Sequence, residues 1–452
     1  MSARSRRIAV VIARHWLAGL WHARLGLAPA AARRTAFARE WTLAFQALGP
    51  AFIKLGQLVS VRPDEFSREL VAEMQRMQDS LPPLPAPAIR AVIERAFGRT
   101  PEELFATFDD TPLASASIAQ VHAATLAHDV RPVWGELLPA GSDVVVKVVR
   151  PGAAGAILGD LGEARALVAR LQRLGFARRA DLGRLLDEFE ASVRRELDLR
   201  VEAHTADRFA FDFREDPKVE VPRIVWGRTA RTVVTMERIS GWRLTELDEA
   251  TRAGVDAKAL AIYGATAFMR QVMVHGRFHA DLHPANLFVT PRNTIAYLDF
   301  GIVGHLSAEE MRDVAQVLAA LVYRDAGRAL RYSERLGVRV PPDKVPVVER
   351  ELGELLDART APGGTRDFRH FGLGFLALLR RNGLEVPTGY GLLVKSLATV
   401  EGCARALYPD IDIIDVARPF VTRLLSNALG DPERLQERIP AAVQAAMREL
   451  VR

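Results

Sequence analysis

Three polar side chains in the second half of the chain have the types and the spacing that phosphoryl transfer requires. In the stretch FHADLHPANLF, Asp281 precedes Asn286 by five positions (286 − 281), and Asp299 of TIAYLDFG follows 18 positions after Asp281 (299 − 281). One carboxylate orients or deprotonates the attacking hydroxyl, while an amide oxygen and a second carboxylate hold Mg²⁺ against the phosphates. We therefore expect Asp281 to be the catalytic carboxylate and Asn286 and Asp299 to be the metal ligands. A turn capped by Asp and Asn is the alternative, and His279 is expected to pack inside the loop rather than to carry a proton.

Lys147 interrupts the apolar stretch VVVKVVR, which the sequence predicts to be a β-strand. A buried ammonium without a partner is costly, so Lys147 should meet a carboxylate or a phosphate. The segment RRELDLRVEAH offers Glu196, Asp198 and Glu202. If this segment is one continuous helix, Asp198 and Glu202 share a face and Glu196 lies about 120° from Glu202. We expect Glu202 to pair with Lys147 and Glu196 to meet another cation; a solvated acidic face is the alternative.

A phosphate-binding turn is expected shortly before Lys147, but the stretch there, LASASIAQVH at residues 113–122, contains no glycine. The Cβ of alanine disfavours positive φ and blocks the closest approach of a backbone to phosphate, both of which glycine permits. This loop should therefore hold a nucleotide in a more restricted pose than a glycine-rich loop does. The residues expected to contact the nucleotide are Ala114, Ser115, Ala116, Ser117, Lys147 and Glu202.

The elements that would position these residues change in type along the chain. Residues 30–80 are predicted to form amphipathic helices, and the proline-rich LPPLPAPA at residues 81–88 begins a new unit. Residues 88–108 are predicted to be helical again, SIAQVHAATL, DVVVKVVR and TVVTMERI to be strands, and residues from about 181 to 209 to be one long helix. After Gly241 the chain is expected to be mainly helical, apart from strands in LFVT and IAYLDF. A small β-rich lobe followed by a larger helical lobe indicates an α+β, protein-kinase-like fold.

Composition limits the class of protein and its compartment. The chain has 452 residues, 49% hydrophobic and 26% charged, as expected for a globular protein of two or three packed units. Its one cysteine, Cys403, excludes an intramolecular disulfide and favours a reducing compartment. No stretch reaches the roughly 18 uninterrupted apolar residues that a spanning helix needs. We therefore expect a cytoplasmic protein without a transmembrane segment, or one held peripherally at the inner membrane.

Positive charge is concentrated in the first 40 residues, which contain eight Arg against the single Glu40. This head also carries apolar residues at roughly helical spacing, among them Trp16 and Trp21. A basic helix with tryptophans can lie on an anionic membrane surface. The alternative is that its apolar side packs on the body of the protein and its arginines are solvated.

Together the motifs resemble the UbiB/AarF family of atypical kinases, also called the ADCK family. The resemblance rests on LGPAFIKLGQLVSVRPD, which corresponds to the family's KxGQ motif, on the alanine-rich LASASIAQVH, and on VVVKVVRPG, ELDLRVEA, FHADLHPANLF and LDFG. With LLVKSLATVEGCARALYPD, which resembles the family's C-terminal region, it extends from about residue 45 to residue 415. It implies a two-lobe kinase-like fold with an N-terminal helical extension packed over the cleft. It also implies ATP or ADP with Mg²⁺ as cofactors, and ATPase activity rather than protein phosphorylation.

The resemblance also implies regulatory roles. The KxGQ helix contributes Lys54 and Gln57, the ExD segment contributes Glu196 and Asp198, and the two motifs are expected to meet over the nucleotide, with Lys54 against Glu196. Many relatives support ubiquinone biosynthesis, and some have C-terminal transmembrane helices. This chain departs from those relatives, because its tail PERLQERIPAAVQAAMRELVR is charged and amphipathic and is not expected to span a bilayer.

The chain is accordingly predicted to contain five segments. They are a basic amphipathic extension (1–44), a helical KxGQ extension (45–110), an N-lobe with the alanine-rich loop, the lysine strand and the long helix (111–240), a helical C-lobe (241–420) and an amphipathic tail (421–452). The expected partners are a nucleotide, a lipid or quinone-precursor ligand and an anionic membrane surface, with no nucleic acid. Two rival functions remain. One is a small-molecule phosphotransferase of the aminoglycoside or choline kinase type, against which the KLGQ motif argues; the other is a non-catalytic, nucleotide-gated lipid-binding scaffold.

Overall fold

The structure is a computed structural model that describes residues 2–25, 29–60, 66–77, 82–173, 182–252, 254–282, 284–360 and 368–429. Parts of the sequence predictions fall outside these ranges, namely residues 61–64 of the KxGQ stretch, residue 81 of the proline-rich segment, residue 181 and the tail beyond residue 429. The chain divides into two compact units. The first comprises Met1–Val255 and Ala285–Ile302, and the second comprises Asp256–Pro284 and Val303–Arg452. The five predicted segments stay a prediction.

Helices and strands are numbered in chain order. The helices are α1 (Ala3–Leu25), α2 (Ala30–Leu48), α3 (Pro50–Ser60), α4 (Arg68–Gln75), α5 (Ala86–Phe97), α6 (Pro101–Leu104), α7 (Ala153–Arg173), α8 (Leu182–Glu196), α9 (Leu199–Asp212), α10 (Leu247–Arg252), α11 (Ala257–Arg270), α12 (Ala308–Tyr323), α13 (Ala326–Arg335), α14 (Val345–Thr360), α15 (Phe368–Arg381), α16 (Thr388–Leu407) and α17 (Ile413–Leu429). The strands are β1 (Phe105–Ser115), β2 (Ala119–Leu126), β3 (Asp143–Val149), β4 (Val219–Glu220), β5 (Val233–Glu237), β6 (Trp242–Arg243), β7 (Arg277–His279), β8 (Leu287–Val289), β9 (Ile295–Tyr297) and β10 (Val303–His305).

The first unit begins with a group of helices that pack on one another. α1 packs against α2 and α7, and both α3 and α4 pack against α2. Ile8, Leu48 and Met74 are fully buried among these helices. Arg4 of α1 also donates from Nε to Oδ1 of Asp160 in α7 at 2.6 Å. The helices predicted between residues 30 and 80 are therefore confirmed as α2, α3 and α4.

A four-stranded antiparallel sheet in the order β1-β2-β3-β5 forms the core of the first unit. In β3 the side chains of Val144, Val146 and Val148 are fully buried, because alternate residues of a strand point to the same face. Lys147 consequently points to the opposite face. The strands predicted from SIAQVHAATL, DVVVKVVR and TVVTMERI are confirmed as β2, β3 and β5.

The first sheet begins earlier than the sequence predicted. The helix expected to extend to residue 108 ends at Leu104, and β1 starts at Phe105. Phe105 pairs with Leu126 of β2, and both side chains are buried in the sheet core. PEEL therefore forms the short helix α6, and burial of Phe105 against the sheet ends the helical segment after Leu104.

The prediction of one long helix from about residue 181 to residue 209 is wrong, because the structure has two helices there, α8 and α9. Asp198, between them, has φ −113° and ψ 90°, which are not helical angles. Its side chain accepts a hydrogen bond from the N–H of Arg200 and caps α9. Asp198 and Glu202 therefore do not share a face of one helix as predicted.

A second sheet of the first unit has the strand order β4-β9-β8-β6. β4 is parallel to β9, and the other pairs are antiparallel. The hairpin of β8 and β9 is the pair of short strands predicted from LFVT and IAYLDF. Gly241, just before β6, approaches this hairpin so closely that a Cβ atom would lie 2.6 Å from the carbonyl oxygen of Val289. The sheet holds this hairpin in place, and Asn286 and Asp299 lie at its open end.

The second unit is mainly helical, as predicted, and contains α11 to α17. A π-helical turn at Gln271–His275 follows α11 and leads into β7, which pairs with β10 in an antiparallel two-stranded sheet. These strands were not predicted, since each has only three residues. Gly276 has a φ of +62°, and a Cβ atom there would lie 2.6 Å from the carbonyl oxygen of Leu306. The turn into β7 therefore requires glycine.

Cys403 is buried in α16, and burial raises the pKa of its thiol to about 11. No helix in the described part of the chain is long and apolar enough to cross a membrane.

Candidate functional site

Lys147 of β3 and Glu202 of α9 form an ion pair in the first unit. The ammonium Nζ lies 2.8 Å from Oε1 and 2.7 Å from Oε2 of Glu202. The two side chains are 22% and 9% exposed, so the pair is largely withdrawn from water. The predicted pairing of Lys147 with Glu202 is present. The prediction assumed one continuous helix, whereas the structure has two helices, α8 and α9.

Three carboxylates influence Lys147. Burial lowers the pKa of its ammonium, but the charges of Glu202, Asp299 and Glu196 outweigh burial and hold that pKa above its ordinary value. Burial raises the pKa of Glu202, and Asp299 and Glu196 add to this effect against the opposing charge of Lys147. The raised pKa of Lys147 therefore reflects the surrounding carboxylates, whereas the raised pKa of Glu202 reflects first its burial and then the neighbouring carboxylates.

A second ion pair connects the KxGQ helix α3 to α8. Nζ of Lys54 lies 2.5 Å from Oε1 of Glu196, and the two side chains are 19% and 32% exposed. Gln57, one turn further along α3, accepts a hydrogen bond at its backbone oxygen from Oγ of Ser60 at 2.7 Å. The Lys54–Glu196 contact is present as the sequence analysis expected. Its regulatory role, and that of Gln57, stay predictions.

Asp198, the other acidic residue of the ExD segment, has a different environment. Its side chain caps α9 and pairs with the guanidinium of Arg200, with Oδ2 2.6 Å from Nη2. The hydrogen bond from Arg200 lowers the pKa of Asp198. These contacts give Asp198 a structural role at the break between α8 and α9, and its regulatory role remains a prediction.

Asn286 and Asp299 both lie at the open end of the β8–β9 hairpin, Asn286 directly before β8 and Asp299 two residues after β9. The N–H of Leu298 donates to the backbone oxygen of Asn286 at 3.1 Å, which closes this end of the hairpin. The N–H of Gly301 donates to Oδ1 of Asp299 at 2.9 Å and orients the carboxylate. The hairpin therefore brings together the two chain segments that carry the predicted metal ligands.

Phe300 anchors Asp299 to the helix that carries Glu202. Its side chain is 3% exposed and packs on Phe209 of α9, with ring centroids 5.1 Å apart. Since Glu202 lies two turns before Phe209 on the same helix, this contact places the Asp-Phe-Gly segment beside the Lys147 ion pair.

The cluster suits a divalent cation that is bound together with phosphates. Among the described side chains Lys54, Lys147, Glu196, Glu202 and Asp299, there are two ammonium groups and three carboxylates, which sum to a charge of −1 (2 − 3). Mg²⁺ takes oxygen ligands and is usually bound by one or two carboxylates plus the phosphates of a substrate. Asn286 and Asp299 provide oxygens of this kind. Within the described ranges, no group of three or more His, Cys, Asp or Glu side chains is arranged to hold a metal by itself. The oxygens of Asn286 and Asp299 therefore fit Mg²⁺ that is bound together with phosphates.

The alanine-rich loop is the tip of the hairpin formed by β1 and β2. The N–H of Ala116 donates to the backbone oxygen of Ala119 at 2.9 Å and closes a tight turn. In the part of the chain that the structure describes, only Asn293 and Arg324 have a positive φ among non-glycine residues. The turn consequently needs no left-handed residue, and alanine and serine can form it without strain.

Arg150, directly after β3, holds this turn and was missed by sequence reasoning. Its Nη1 donates to Oγ of Ser115 at 2.7 Å, and its backbone N–H donates to the oxygen of Ile118 at 2.8 Å. Burial lowers the pKa of its guanidinium. Of the other loop residues predicted to contact the nucleotide, Ala114 is exposed and Ser117 is buried. The available signal was the arginine that follows the lysine strand in VVVKVVRPG.

In the second unit, Asp281 lies two residues beyond β7. Its backbone N–H donates to Nδ1 of His279 at 3.2 Å, and the N–H of His279 donates to Oε1 of Gln271 at 3.0 Å. His279 is 1% exposed, which agrees with the prediction that it packs inside the loop. The side chain of Asp281 is 46% exposed and remains accessible to a reacting group.

Lys395 of α16 contacts Asp281 and was not predicted. Its Nζ lies 3.1 Å from Oδ1 of Asp281, a residue 114 positions away. Only the rarity of lysine, with six lysines against 55 arginines, could have drawn attention to it.

One face of α1 is apolar and exposed. Val10, Leu17 and Trp21 are 65%, 60% and 66% exposed, and the exposed Arg14 lies between them on the same face. The opposite face is packed, with Ile8 fully buried. The alternative that the apolar side of the head packs on the body of the protein therefore explains the face with Ile8, but not the exposed apolar face of α1.

The sequence matches known families over most of its length. Residues 76–333 match the ABC1 atypical kinase-like domain, and residues 373–412 match the UbiB helical domain. A protein from Marinobacter nauticus described as a probable protein kinase UbiB is 33% identical over 88% of this chain and 72% of its own length. A protein of the same description from Azotobacter vinelandii is 35% identical over 87% of this chain and 74% of its own length. The chain belongs to the UbiB family of atypical kinases.

Membership of the UbiB family confirms the resemblance inferred from the motifs. The structure of the Rv3197–erythromycin complex from Mycobacterium tuberculosis covers 80% of this chain and 90% of its own, with 23% identity and a TM-score of 0.52. At that identity the likeness supports the fold, and the predicted α+β kinase-like class is confirmed. The roles of the individual UbiB site residues stay predictions.

Proposed function

We propose that this UbiB-family chain binds a nucleotide with Mg²⁺ and acts as an atypical kinase or ATPase. The observation that carries the proposal is the Lys147–Glu202 ion pair with Asp299 beside it. In protein kinases, a strand lysine paired with a helix glutamate contacts the phosphates, and the Asp of Asp-Phe-Gly binds the metal. The description of the relatives as probable protein kinases supports the same class of reaction.

In this proposal each group has a role that its chemistry allows. Lys147 donates to phosphate oxygens, while Glu202 keeps the ammonium in place. Asn286 and Asp299 hold Mg²⁺, which neutralises charge on the phosphates when it is bound. Asp281 orients or deprotonates the attacking hydroxyl or water. The alanine-rich turn restricts the pose of the nucleotide.

We also propose a role in ubiquinone (isoprenoid quinone) biosynthesis or related lipid metabolism, which membership of the UbiB family supports. A phosphotransferase of the aminoglycoside or choline kinase type is less well supported, since such enzymes lack the KxGQ helix that here carries Lys54 to Glu196. A non-catalytic scaffold would bind nucleotide without turning it over. Loss of the quinone in a deletion strain tests the pathway.

The test of the site is phosphate release from Mg-ATP, together with the thermal stabilisation that nucleotide gives with and without Mg²⁺. We expect the wild type to release phosphate and Asp299→Asn to lose both turnover and the Mg²⁺-dependent stabilisation. Glu215→Gln is the control, because that side chain in the same unit is 82% exposed. If Asp299→Asn kept the full Mg²⁺-dependent thermal stabilisation, Asp299 would not be a metal ligand. Binding without turnover in the wild type would favour the scaffold.

We propose further that the exposed face of α1 contacts an anionic membrane surface. Apolar side chains at Val10, Leu17 and Trp21 could enter the interface while neighbouring arginines meet lipid phosphates. Each arginine near such a surface contributes up to about 1 kcal/mol, screened over roughly a Debye length. Binding should therefore weaken as salt rises.

Liposome flotation tests this contact without disturbing the packed side of α1. The variant Leu17→Ser/Trp21→Ser should float less than the wild type with liposomes that contain phosphatidylglycerol, and neither protein should float with purely zwitterionic liposomes. Val347→Ser, which alters a 40% exposed apolar residue of the second unit, is the control. Equal flotation of the wild type and the α1 variant would exclude this surface.

A further inference from the structure

The ion pair between Lys395 and Asp281 has no role in the site as proposed so far. Nζ of Lys395 lies 3.1 Å from Oδ1 of Asp281, and the two side chains are 17% and 46% exposed. The ammonium is therefore largely enclosed, whereas the carboxylate remains partly open to solvent. A lysine enclosed in this way needs a partner, and Asp281 is the carboxylate that provides it.

The packing of the second unit holds Lys395 in place. Its neighbours on α16, Val394 and Ser396, are 6% and 1% exposed. α16 packs on α11, α15 and β10, and β10 pairs with β7, which ends two residues before Asp281. Both members of the pair are thus attached to elements of one packed core, so the contact has a defined geometry.

Lys395 contacts one oxygen of the carboxylate. Over the described residues, no group donates to Oδ2 of Asp281. A carboxylate that acts on an attacking hydroxyl needs one free oxygen within reach of that hydroxyl and benefits when the other oxygen is fixed. The ion pair fixes Oδ1 of Asp281 and leaves Oδ2 for the attacking hydroxyl.

We propose that Lys395 is a positioning residue for phosphoryl transfer: it fixes Oδ1 of Asp281 so that Oδ2 faces the attacking hydroxyl or water. In that reaction the acceptor oxygen forms a bond to the γ-phosphorus of ATP, and the bond from this phosphorus to the ADP oxygen breaks. The acceptor proton passes to Oδ2 of Asp281. The inference rests on the proposed function, because it takes Asp281 to act on the acceptor.

The test compares kcat and KM for phosphate release from Mg-ATP, with ADP binding measured separately by thermal stabilisation. The variants are Lys395→Met, Lys395→Gln, Asp281→Asn and the double variant Lys395→Met/Asp281→Asn. Methionine suits the apolar surroundings, and Asp281 is exposed enough to be solvated without its partner, so these proteins should fold. Lys258→Met is the control, since it removes an exposed lysine from α11 in the same unit.

Lys395→Met should lower kcat by about 10- to 100-fold, because a small displacement of a reacting group has effects of this size. KM and ADP affinity should change by less than about 3-fold, since the change acts on the step after binding. Lys395→Gln can still donate a hydrogen bond to Oδ1 and should keep more activity than Lys395→Met. With Asp281→Asn already present, Lys395→Met should have little further effect on kcat.

Two results would overturn the inference while leaving the proposed function intact. The first is an active wild type with an unchanged or higher kcat in Lys395→Met, since a higher value would mean that the ion pair blocks Asp281. The second is an equal fold-loss from Lys395→Met with and without Asp281→Asn, which would mean that Lys395 does not act through the carboxylate. A wild type that neither binds nucleotide nor releases phosphate would overturn the proposed function, and the inference with it.

Discussion

The two members of the Lys54–Glu196 ion pair should differ in their effect on stability when each is replaced. Among the five described side chains of the cluster, Lys54→Met leaves one ammonium with three carboxylates, which sum to a charge of −2 (1 − 3). Glu196→Gln leaves two ammonium groups facing two carboxylates, a net charge of 0 (2 − 2). The lysine variant therefore leaves Glu196 repelled by the carboxylates near Lys147, whereas the glutamate variant removes that repulsion.

The exposure of the pair sets the size of the effect. An exposed ion pair contributes about 0.2–1 kcal/mol, and loss of one member of a fully buried pair costs about 3–5 kcal/mol. Side chains that are 19% and 32% exposed lie between these cases. We expect Lys54→Met to lower the free energy of unfolding by about 1–2 kcal/mol and Glu196→Gln to lower it by less than about 0.5 kcal/mol. The double variant should resemble Glu196→Gln, so the two changes should not be additive.

Equilibrium urea unfolding of the wild type, both single variants and the double variant measures this cycle. Arg34→Met is the control: Arg34 lies 3.1 Å from Glu69, but its side chain is 68% exposed, so its loss should have little effect. The same proteins in the phosphate-release assay show whether the pair also regulates turnover, for which Lys54→Met should change kcat. Equal losses of stability for Lys54→Met and Glu196→Gln, or additive effects, would refute the argument from charge excess.

Local geometry leads to three further expectations, two for substitutions and one for chemical labelling. Gly56→Ala should lower the free energy of unfolding by about 1–3 kcal/mol, because a Cβ atom would lie 1.9 Å from Cε of Met77, 3.0 Å from Sδ of Met74 and 3.1 Å from Cδ2 of Phe45, and all three side chains are buried; unchanged urea unfolding would contradict this. Ala116→Gly should alter affinity for ADP or ATP without unfolding the protein, since it adds backbone freedom at the turn; thermal shifts with both nucleotides equal to those of the wild type would show that the turn does not contact them. Cys403, with a buried thiol whose pKa is raised to about 11, should react slowly with Ellman's reagent at neutral pH and rapidly in urea; rapid labelling of the native protein would be inconsistent with its burial.

Local sequence patterns predicted the structure where neighbouring residues determine it. The valines around Lys147 indicated both the strand β3 and the need of the lysine for a partner, and Glu202 is that partner. The break between α8 and α9 was missed because apolar residues continue at helical spacing through it. The opposing signal was the capping side chain of Asp198, which is a single residue within an otherwise helical pattern.

Contacts between distant segments depend on how elements pack, and sequence spacing does not report this. Lys395 and Asp281 are 114 positions apart, and neither α16 nor β10 gives a local signal that they approach. Lys54 and its carboxylate partner are 142 positions apart; their contact was expected because helix geometry turned Glu196 away from Lys147 and because the family resemblance brought the two motifs together. Arg150 was missed for the same reason, since its partner in the alanine-rich hairpin is 35 positions away.

Lysine is rare in this chain, and the proposed function offers a reason for where three of the lysines lie. Of six lysines, Lys54, Lys147 and Lys395 contact carboxylates that the sequence assigned to the site, although the chain has 55 arginines. An arginine fork tends to bind both oxygens of a carboxylate in one plane, whereas an ammonium is compact and has three donors in different directions. Lys395 holds one oxygen of its partner and leaves the other available, and Lys147 binds Glu202 with a donor to spare for phosphate. Under the proposed function, the Lys147 and Lys395 pairs must also accommodate a phosphate or an acceptor group, and this requirement favours lysine over arginine at these two positions.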